Sequence, residues 1–231
     1  MEQDKKFWFV VPAAGVGKRM EADRPKQYLD IGGMTVIERT LITMLDNYAI
    51  SGGVVVVSKY DEYWRDLGFT HNKTLLVADG GKERSDSVLN GLNKLQTIAD
   101  PQDWVMVHDA ARPLVDAGDI LRLALEGAGS DNGAILGCKV RDTIKLCDEN
   151  GYIEKTVPRE NLWHALTPQM FRMDLLQEAI ESAHDSGRAI TDDASAMELA
   201  GYKPQMIESN PNNIKITTAA DLEFVKQMMQ R

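Results

Sequence analysis

The stretch VPAAGVGKRMEADRPKQYL, from Val11 to Leu29, decides the fold of this chain because it joins an apolar run to a turn of small residues. The run that leads into it, FWFVV, is short, β-branched and aromatic, which predicts a buried strand. Gly15 and Gly17 allow the backbone of the turn to bring its N–H groups close to a ligand. Three bases that suit a polyphosphate follow: Lys18, Arg19 and Lys26.

This segment differs from the two best-known phosphate-binding motifs. It lacks the GK[ST] ending of the Walker loop, and Met20 stands where the third glycine of GxGxxG belongs. We therefore interpret it as a phosphate loop of a third kind.

Length and composition predict a soluble α/β protein. The chain has 231 residues, 43% hydrophobic and 26% charged, and no apolar run approaches the roughly 20 residues that span a bilayer. The start, MEQDKK, has no apolar signal segment, so we expect a cytoplasmic protein without a membrane partner. A net charge of −9 argues against a nucleic-acid partner, which needs a broad basic face. The two cysteines show no zinc-binding spacing.

Apolar runs alternate with helical periodicity along the chain, which is typical of βαβ units around a mostly parallel sheet. Thr35 and Glu38 form a capping box before one apolar stripe, and Thr218 with Asp221 caps another. The predicted strands lie near residues 7–12, 53–58, 74–78, 104–108, 133–140 and 205–208. The predicted helices lie near residues 36–48, 86–95, 117–128, 173–184, 193–200 and 219–230.

Three of the predicted strands end in unusual sequences: PAAGVGKR, ADGGKERSDS and HDAARP. In an open parallel sheet the carboxyl ends of the strands share one edge, where ligands bind. We therefore expect these three segments to meet at one site.

One segment departs from the alternation. Residues 139–159, KVRDTIKLCDENGYIEKTVPR, follow a pattern of strand, turn and strand around an Asn-Gly pair, which is a strong hairpin signal. A two-residue loop there pairs Glu149 with Tyr152 and brings Thr143 and Arg159 side by side at the base. A lone ribbon of this length is not stable in water, so we expect it to pack on something, most naturally a second subunit.

The segment HDAARP carries candidate site residues. Asp109 offers a carboxylate beside the phosphate loop, which suits Mg²⁺ shared with substrate phosphates, although a cap of a turn also explains it. Arg112 can fork two hydrogen bonds to a phosphate. His108 is either a general base or a satisfied structural residue at the end of an apolar strand.

Three later segments carry weaker signals. The residues TDDAS, 191–195, are either a metal site or the start of a helix capped by Thr191. Lys215 enters a short strand near the chain end and by itself predicts only a solvated lysine. Trp163, His164 and the TPQ that follows predict a packed connection without a chemical task.

Motifs of covalent catalysis are not found in the sequence. It shows no Ser–His–Asp order, no cysteine in a strand-to-helix elbow and no HExxH. Phosphoryl or nucleotidyl transfer fits better, because there the protein mainly positions groups and stabilises developing charge.

Taken together, these motifs resemble those of the 2-C-methyl-D-erythritol 4-phosphate cytidylyltransferases of non-mevalonate isoprenoid precursor biosynthesis. The shared segments cover nearly the full length, in family order: PAAGVGKRM, RPKQYL, ADGGKERSDSV, VHDAARP, VRDTIK, TVPRENLWHALTPQ, TDDASAME and NIKIT. The resemblance implies transfer of CMP from CTP to methylerythritol phosphate, with release of diphosphate and with Mg²⁺ as cofactor. It also implies an α/β fold of the nucleotidyltransferase type. In such a fold one domain, residues 1–231, holds a Rossmann-like, mostly parallel sheet, and a protruding β-hairpin arm, residues 139–159, is exchanged in a homodimer.

The resemblance further implies a set of site residues. Arg19 and Lys26 would stabilise the transition state at the α-phosphate of CTP, and Asp109 would lie at the metal ion and the substrate. Small residues would surround the cytidine: Ala13, Ala14, Gly15, Gly81 and Ser87. Four residues would hold the methylerythritol phosphate, the last two counted as catalytic: Arg112, Thr143, Arg159 and Lys215.

The sequence alone is compatible with two alternative functions. One is a cytidylyltransferase for another polyol phosphate, such as ribitol 5-phosphate, which differs only in the acceptor pocket. The other is a non-catalytic nucleotide-binding protein on the same fold. The combination of Arg19, Lys26 and Asp109 favours an enzyme, because binding alone does not need it.

Overall fold

A seven-stranded sheet with helices on both faces organises the computed structural model, which describes residues 6–15 and 23–230. The strands are β1 (Phe7–Pro12), β2 (Ile50–Val57), β3 (Thr74–Asp79), β4 (Trp104–Val107), β5 (Ala134–Lys139), β6 (Ile144–Cys147), β7 (Ile153–Val157), β8 (Trp163–Arg172) and β9 (Gln205–Glu208). The helices are α1 (Val36–Asp46), α2 (Glu62–Leu67), α3 (Arg84–Leu95), α4 (Ala117–Gly127), α5 (Met173–Asp185), α6 (Asp193–Leu199) and α7 (Ala219–Met229), with a short 3-10 helix at Lys26–Tyr28.

The central sheet is mostly parallel, as the sequence predicts. Its strand order is β3-β2-β1-β4-β8-β5-β9. The pairs β1–β2, β2–β3, β1–β4 and β5–β9 are parallel, whereas β8 runs antiparallel to both of its neighbours, β4 and β5. The carboxyl ends of β1, β3 and β4 therefore lie at the same edge of the sheet.

Strand β1 is apolar throughout because both of its faces are covered. Successive side chains of a strand point to opposite faces. Phe9 and Val11 belong to a buried cluster with residues of α1 and α4, and Trp8 and Val10 belong to a second cluster with residues of α3, α5 and α6. A parallel sheet covered on both sides needs such continuous apolar strands.

Helix starts follow the predicted caps at two places and differ at a third. The capping boxes Thr35–Glu38 and Thr218–Asp221 are both present. The predicted cap at Thr191 is wrong, because the N-cap of α6 is Asp192, whose side chain accepts a hydrogen bond from the backbone N–H of Ser195. Within the described ranges, no helix combines the length and apolar character needed to cross a bilayer.

Two elements were missed by the sequence patterns. The predicted packed connection around Trp163 is part of β8, a ten-residue strand. Pro168 hides it, since proline is rare inside strands, and the structure accommodates Pro168 where the β5–β8 pairing shifts between Ile135 and Gly137. Helix α2 is only six residues long and buries none of them fully, so its apolar face is too short for the periodicity to be detected.

The hairpin of β6 and β7 has the predicted alignment but a different turn. Ile144 pairs with Val157, as the predicted register requires. The prediction of a two-residue loop is wrong. The N–H of Asp148 donates to the carbonyl oxygen of Tyr152 at 2.9 Å, which leaves three residues in the loop. Gly151 takes up this longer turn with a φ of +85°. A bulge after Leu146 restores the register.

Close packing of α3 against the sheet gives a stability prediction. A Cβ atom at Gly91 would lie 2.6 Å from Cγ1 of Val10 and 3.0 Å from Cγ2 of Val56, both in the core. We expect Gly91→Ala to lower the free energy of unfolding by about 1–3 kcal/mol, because overpacking outweighs the gain in helix propensity. Urea denaturation measures the change, and the exposed Lys94→Ala in the same helix is the control. A Gly91→Ala protein at least as stable as the wild type would contradict this packing argument.

Candidate active site

A cavity of about 300 Å³ opens at the carboxyl edge of the sheet. It is bounded by the turn after β1, the segment between β3 and α3, the start of the segment after β4, the 3-10 helix and Lys215. The three unusual strand endings of the sequence therefore meet here, because their strands are parallel and near one another. The lining residues are Pro12, Ala13, Ala14, Gly15, Lys26, Gln27, Gly81, Lys82, Glu83, Arg84, Ser87, Asp109, Ala110, Ala111 and Lys215.

Asp109 is the electrostatic centre of the cavity. Its Oδ2 lies 2.9 Å from Nζ of Lys215 and 3.4 Å from Nε of Arg112, and its Oδ1 lies 3.3 Å from Nε of Arg84. Burial alone would raise the pKa of Asp109, but the attraction of Arg84, Lys215 and Arg112 lowers it well below its usual range. The carboxylate therefore stays ionised at any physiological pH.

Arg84 is a site residue that the sequence patterns did not single out. Its Nη1 and Nη2 donate to the two carboxylate oxygens of Asp193 at 3.0 and 2.8 Å. Burial disfavours the charge on Arg84, yet the attraction of Asp193 and Asp109 raises its pKa. The segment after β3 is unusual in sequence, but an arginine in a charged run shows no sign of a buried partner 109 residues away.

The 3-10 helix ties the phosphate-loop turn to the rest of the cavity. Nε2 of Gln27 donates to the carbonyl oxygens of Ala13 at 2.7 Å and Gly15 at 3.1 Å. Lys26 lines the cavity, and its Nζ donates to the carbonyl oxygen of Ile216 at 2.8 Å. Arg19, the other base predicted to act at the α-phosphate, lies outside the described residues.

The predicted cytidine-binding residues line one wall of the cavity. Ala13, Ala14 and Gly15 come from the turn, and Gly81 and Ser87 from the segment after β3. The N–H of Gly81 donates to Oγ of Ser87 at 3.1 Å. A Cβ atom at Gly81 would lie 2.1 Å from Cβ of Asp86, so the close approach of this segment to α3 requires glycine. The wall consists of backbone groups and small side chains, which suits a flat base.

Three predicted phosphate-binding residues do not line the cavity of their own chain. Arg112 is buried behind Asp109, and its Nη1 donates to the carbonyl oxygen of Asn213 at 2.7 Å. Thr143 and Arg159 are exposed residues of the hairpin segment. The hydrogen-bonded ladder ends at the Ile144–Val157 pair, and Arg159 donates to the carbonyl oxygen of Arg141.

His108 fits the structural interpretation rather than that of a general base. It is fully buried, and its Nδ1 lies 2.9 Å from Oγ1 of Thr167 while its Nε2 lies 3.2 Å from the carbonyl oxygen of Arg112. Burial lowers the pKa of His108 to about 4. The same hydroxyl of Thr167 accepts a hydrogen bond from the N–H of Asp109 at 3.1 Å. The TPQ segment, which had no task in the sequence, therefore holds the backbone of Asp109.

The burial of His108 predicts a pH dependence of stability. Between its folded pKa of about 4 and its ordinary value of 6.5, the unfolded chain binds a proton that the folded chain does not. The contribution of His108 to stability is therefore present above pH 6.5 and is lost as the pH falls towards 4, by up to about 1.4 kcal/mol per pH unit.

Urea denaturation of His108→Gln across this range measures the effect. We expect a shallower dependence on pH than in the wild type, since the variant has no imidazole to protonate. His164→Gln, which changes an exposed histidine, should retain the wild-type dependence. Equal slopes for His108→Gln and the wild type would contradict the assignment.

Comparison with known proteins identifies relatives over almost the whole chain. The family model for 2-C-methyl-D-erythritol 4-phosphate cytidylyltransferase matches residues 7–231. The cytidylyltransferase of this name from Pseudomonas aeruginosa (strain UCBPP-PA14) is 50% identical over 217 residues, which are 94% of this chain and 93% of that protein. Its counterpart in Ectopseudomonas mendocina (strain ymp) is 47% identical over 96% of this chain and 95% of that protein.

Solved structures agree with these sequence relatives. The crystal structure of the Francisella tularensis cytidylyltransferase has a TM-score of 0.83 and 34% identity, covering 96% of this chain and 99% of that chain. The Thermus thermophilus enzyme has a TM-score of 0.79 and 30% identity, covering 98% of this chain and 100% of that chain. Both the predicted fold class and the predicted family are thus confirmed. The chain belongs to the 2-C-methyl-D-erythritol 4-phosphate cytidylyltransferase family, the nucleotidyltransferases that transfer a cytidylyl group to methylerythritol phosphate in isoprenoid biosynthesis.

Proposed function

We propose that the cavity binds CTP with Mg²⁺ and that the chain acts as a homodimer in the cytoplasm. The reaction transfers CMP from CTP to 2-C-methyl-D-erythritol 4-phosphate, giving 4-diphosphocytidyl-2-C-methyl-D-erythritol and diphosphate. The observation that carries the proposal is the charge of the cavity. Four cations line it against two carboxylates, although the chain as a whole has a net charge of −9. Such a local excess of positive charge favours a polyphosphate.

The chemistry needs charge stabilisation and no general base. The attacking group is an oxygen of a phosphate monoester, whose second pKa near 6 leaves it largely ionised at neutral pH. The buried position of His108 agrees with this, since no base needs to reach the substrate. The protein then contributes by holding the two phosphates in line and stabilising the charge that develops between them.

The donor side of the cavity is assigned to CTP. The backbone and small side chains from Ala13 to Gly15, with Gly81 and Ser87, form the wall for the cytidine. Lys26 lines the cavity beside this wall, and we assign it with Arg19 to the α-phosphate. Charge-assisted hydrogen bonds of this kind contribute about 1.5–3 kcal/mol each before any gain in the transition state.

Asp109 fits a magnesium ion that is shared with the substrate. Among the described residues, no group of three His, Cys, Asp or Glu side chains forms a metal site of protein ligands alone. Mg²⁺ in nucleotide-dependent enzymes is usually bound by one or two carboxylates with phosphate oxygens and water. The ionised Asp109 supplies one such oxygen donor in the cavity. When bound, the ion would neutralise charge on the triphosphate and the leaving diphosphate.

The acceptor side is assigned to two chains. Lys215 lines the cavity next to Asp109, with Arg112 behind it, whereas Thr143 and Arg159 belong to the arm, residues 139–159. The arm exposes large apolar side chains, which favours burial against another copy of the chain: Leu146, Tyr152 and Ile153. A two-stranded sheet of this size also needs a packing partner to be stable. We therefore place the partner subunit's Arg159 at the acceptor phosphate.

The acceptor assignment is tested by measuring diphosphate release from CTP and Mg²⁺. We expect release to be at least tenfold faster with methylerythritol phosphate than with ribitol 5-phosphate. Equal rates with the two acceptors would contradict the assigned acceptor, and no release with either would contradict the transferase function.

Lys26→Ala should lower turnover in the same diphosphate-release assay by about 10²–10³, as expected for loss of a group that stabilises the transition state.

The exchanged arm predicts complementation between two inactive variants. Lys26→Ala removes a residue of the cavity, and Arg159→Ala removes one that the arm donates to the partner. A mixed dimer then has one site with both defects and one with neither, so co-expression should restore up to about half of the wild-type activity per mixed dimer.

A matched control uses two cavity residues of the same chain. Co-expressed Lys26→Ala and Lys215→Ala give mixed dimers in which every site has one defect, so activity should stay low. Restoration by this pair as well, or by neither pair, would contradict the exchange of arms.

A further inference from the structure

The segment TDDAS contains a buried carboxylate that the proposed reaction does not use. The side chain of Asp193 is 1% exposed, and both of its oxygens accept hydrogen bonds from Arg84. Burial of a carboxylate is strongly unfavourable unless it is paired and hydrogen-bonded. The buried pair of Asp193 and Arg84 therefore needs a structural or functional explanation. Capping of α6 is not that explanation, because the N-cap is Asp192.

The geometry of the pair fixes the plane of the Arg84 guanidinium. A two-pronged contact with one carboxylate orients the planar fork as well as holding it. The third nitrogen of the guanidinium, Nε, then donates to Oδ1 of Asp109 at 3.3 Å. Lys215 and Arg112 both approach the other oxygen, Oδ2. The two oxygens of Asp109 therefore have different partners: Arg84 contacts Oδ1, and Lys215 and Arg112 contact Oδ2.

Asp193 is itself held in place by strand β8. The side chain of Gln169, which is buried, donates to Oδ2 of Asp192 at 2.8 Å and accepts from the N–H of Ala194 at 2.8 Å. These two hydrogen bonds lie on either side of Asp193 and attach the start of α6 to the sheet. The position of the Asp193 carboxylate is thus set by the rigid core and not by a surface loop.

We propose that Asp193 is a positioning residue of the transfer reaction: it orients Arg84, and Arg84 orients the carboxylate of Asp109 in the cavity. The inference rests on the proposed function, in which Asp109 meets the metal ion and the substrates. A carboxylate oriented before the substrates bind needs no rearrangement during the reaction, which is how preorganised groups lower a barrier. Asp193 reaches no lining position and acts through Arg84.

A double-mutant cycle tests whether Asp193 acts through Arg84. Asp193→Asn keeps the shape of the side chain but removes its charge, and we expect it to lower kcat about tenfold. In an Arg84→Gln background the same change should have less than a twofold further effect. Glu198→Gln, an exposed change of the same charge in α6, is the control and should leave kcat unchanged. The proposal would be overturned if the decreases in kcat caused by Asp193→Asn and Arg84→Gln multiply in the double variant. An unchanged kcat in Asp193→Asn would also overturn it.

Nitrogen-15 NMR of the arginine side chains supplies a readout that does not depend on activity. The two-pronged pair should slow rotation of the Arg84 guanidinium, giving resolved Nη signals in the wild type that are absent from Arg84→Gln. Asp193→Asn should average these signals while its unfolding curve stays cooperative. A wild type without such resolved signals would overturn the proposal. A wild type with these signals but without CMP transfer would instead overturn the proposed function and leave the pairing of Asp193 with Arg84 intact.

Discussion

The carboxylate of Asp109 and the three cations around it are the interaction on which the site depends. Arg84 begins α3, Arg112 follows β4, and Lys215 precedes α7, so the cluster joins segments that are distant in the chain. Like charges this close repel strongly where water is scarce, unless an anion lies between them. Asp109, together with the Asp193 carboxylate that pairs with Arg84, supplies two negative charges against three positive ones. The positive charge that remains is what would favour a phosphate at this edge of the sheet.

The antiparallel strand β8 gives this cluster its foundation. Thr167 accepts from the N–H of Asp109 and contacts His108, and the side chain of Asn213 donates to the carbonyl oxygen of Thr167. The carbonyl oxygen of Asn213 in turn accepts from Arg112. These buried contacts link the charged cluster to neutral groups beneath it. Strand β8, which departs from the parallel pattern, therefore holds the backbone at Asp109 in place.

The sequence predicts those parts of the molecule that depend on local signals. Strand β1, the capping box at Thr35 and the meeting of three strand ends all follow from short patterns or from the direction of parallel strands. What the sequence misses depends on partners far along the chain. Nothing near Arg84 shows that its partner is Asp193, and nothing near Pro168 shows that the strand around it lies between β4 and β5. The turn of the hairpin was missed for a local reason, because an Asn-Gly pair fits both a two-residue and a three-residue loop.

Two of the cations near Asp109 are already paired with groups of their own chain, which explains why the proposed site needs an arm from a second chain. Arg112 is buried between Asp109 and Asn213 and does not line the cavity, and Arg84 is engaged by Asp193 as well as Asp109. The reaction brings together a triphosphate and a second phosphate, whose negative charges repel each other at the moment of transfer. An acceptor phosphate would therefore gain from a further cation that the chain does not direct into its own cavity. Arg159 stands at the exposed base of the arm, and in the proposed exchanged dimer it would supply that charge to the partner's cavity.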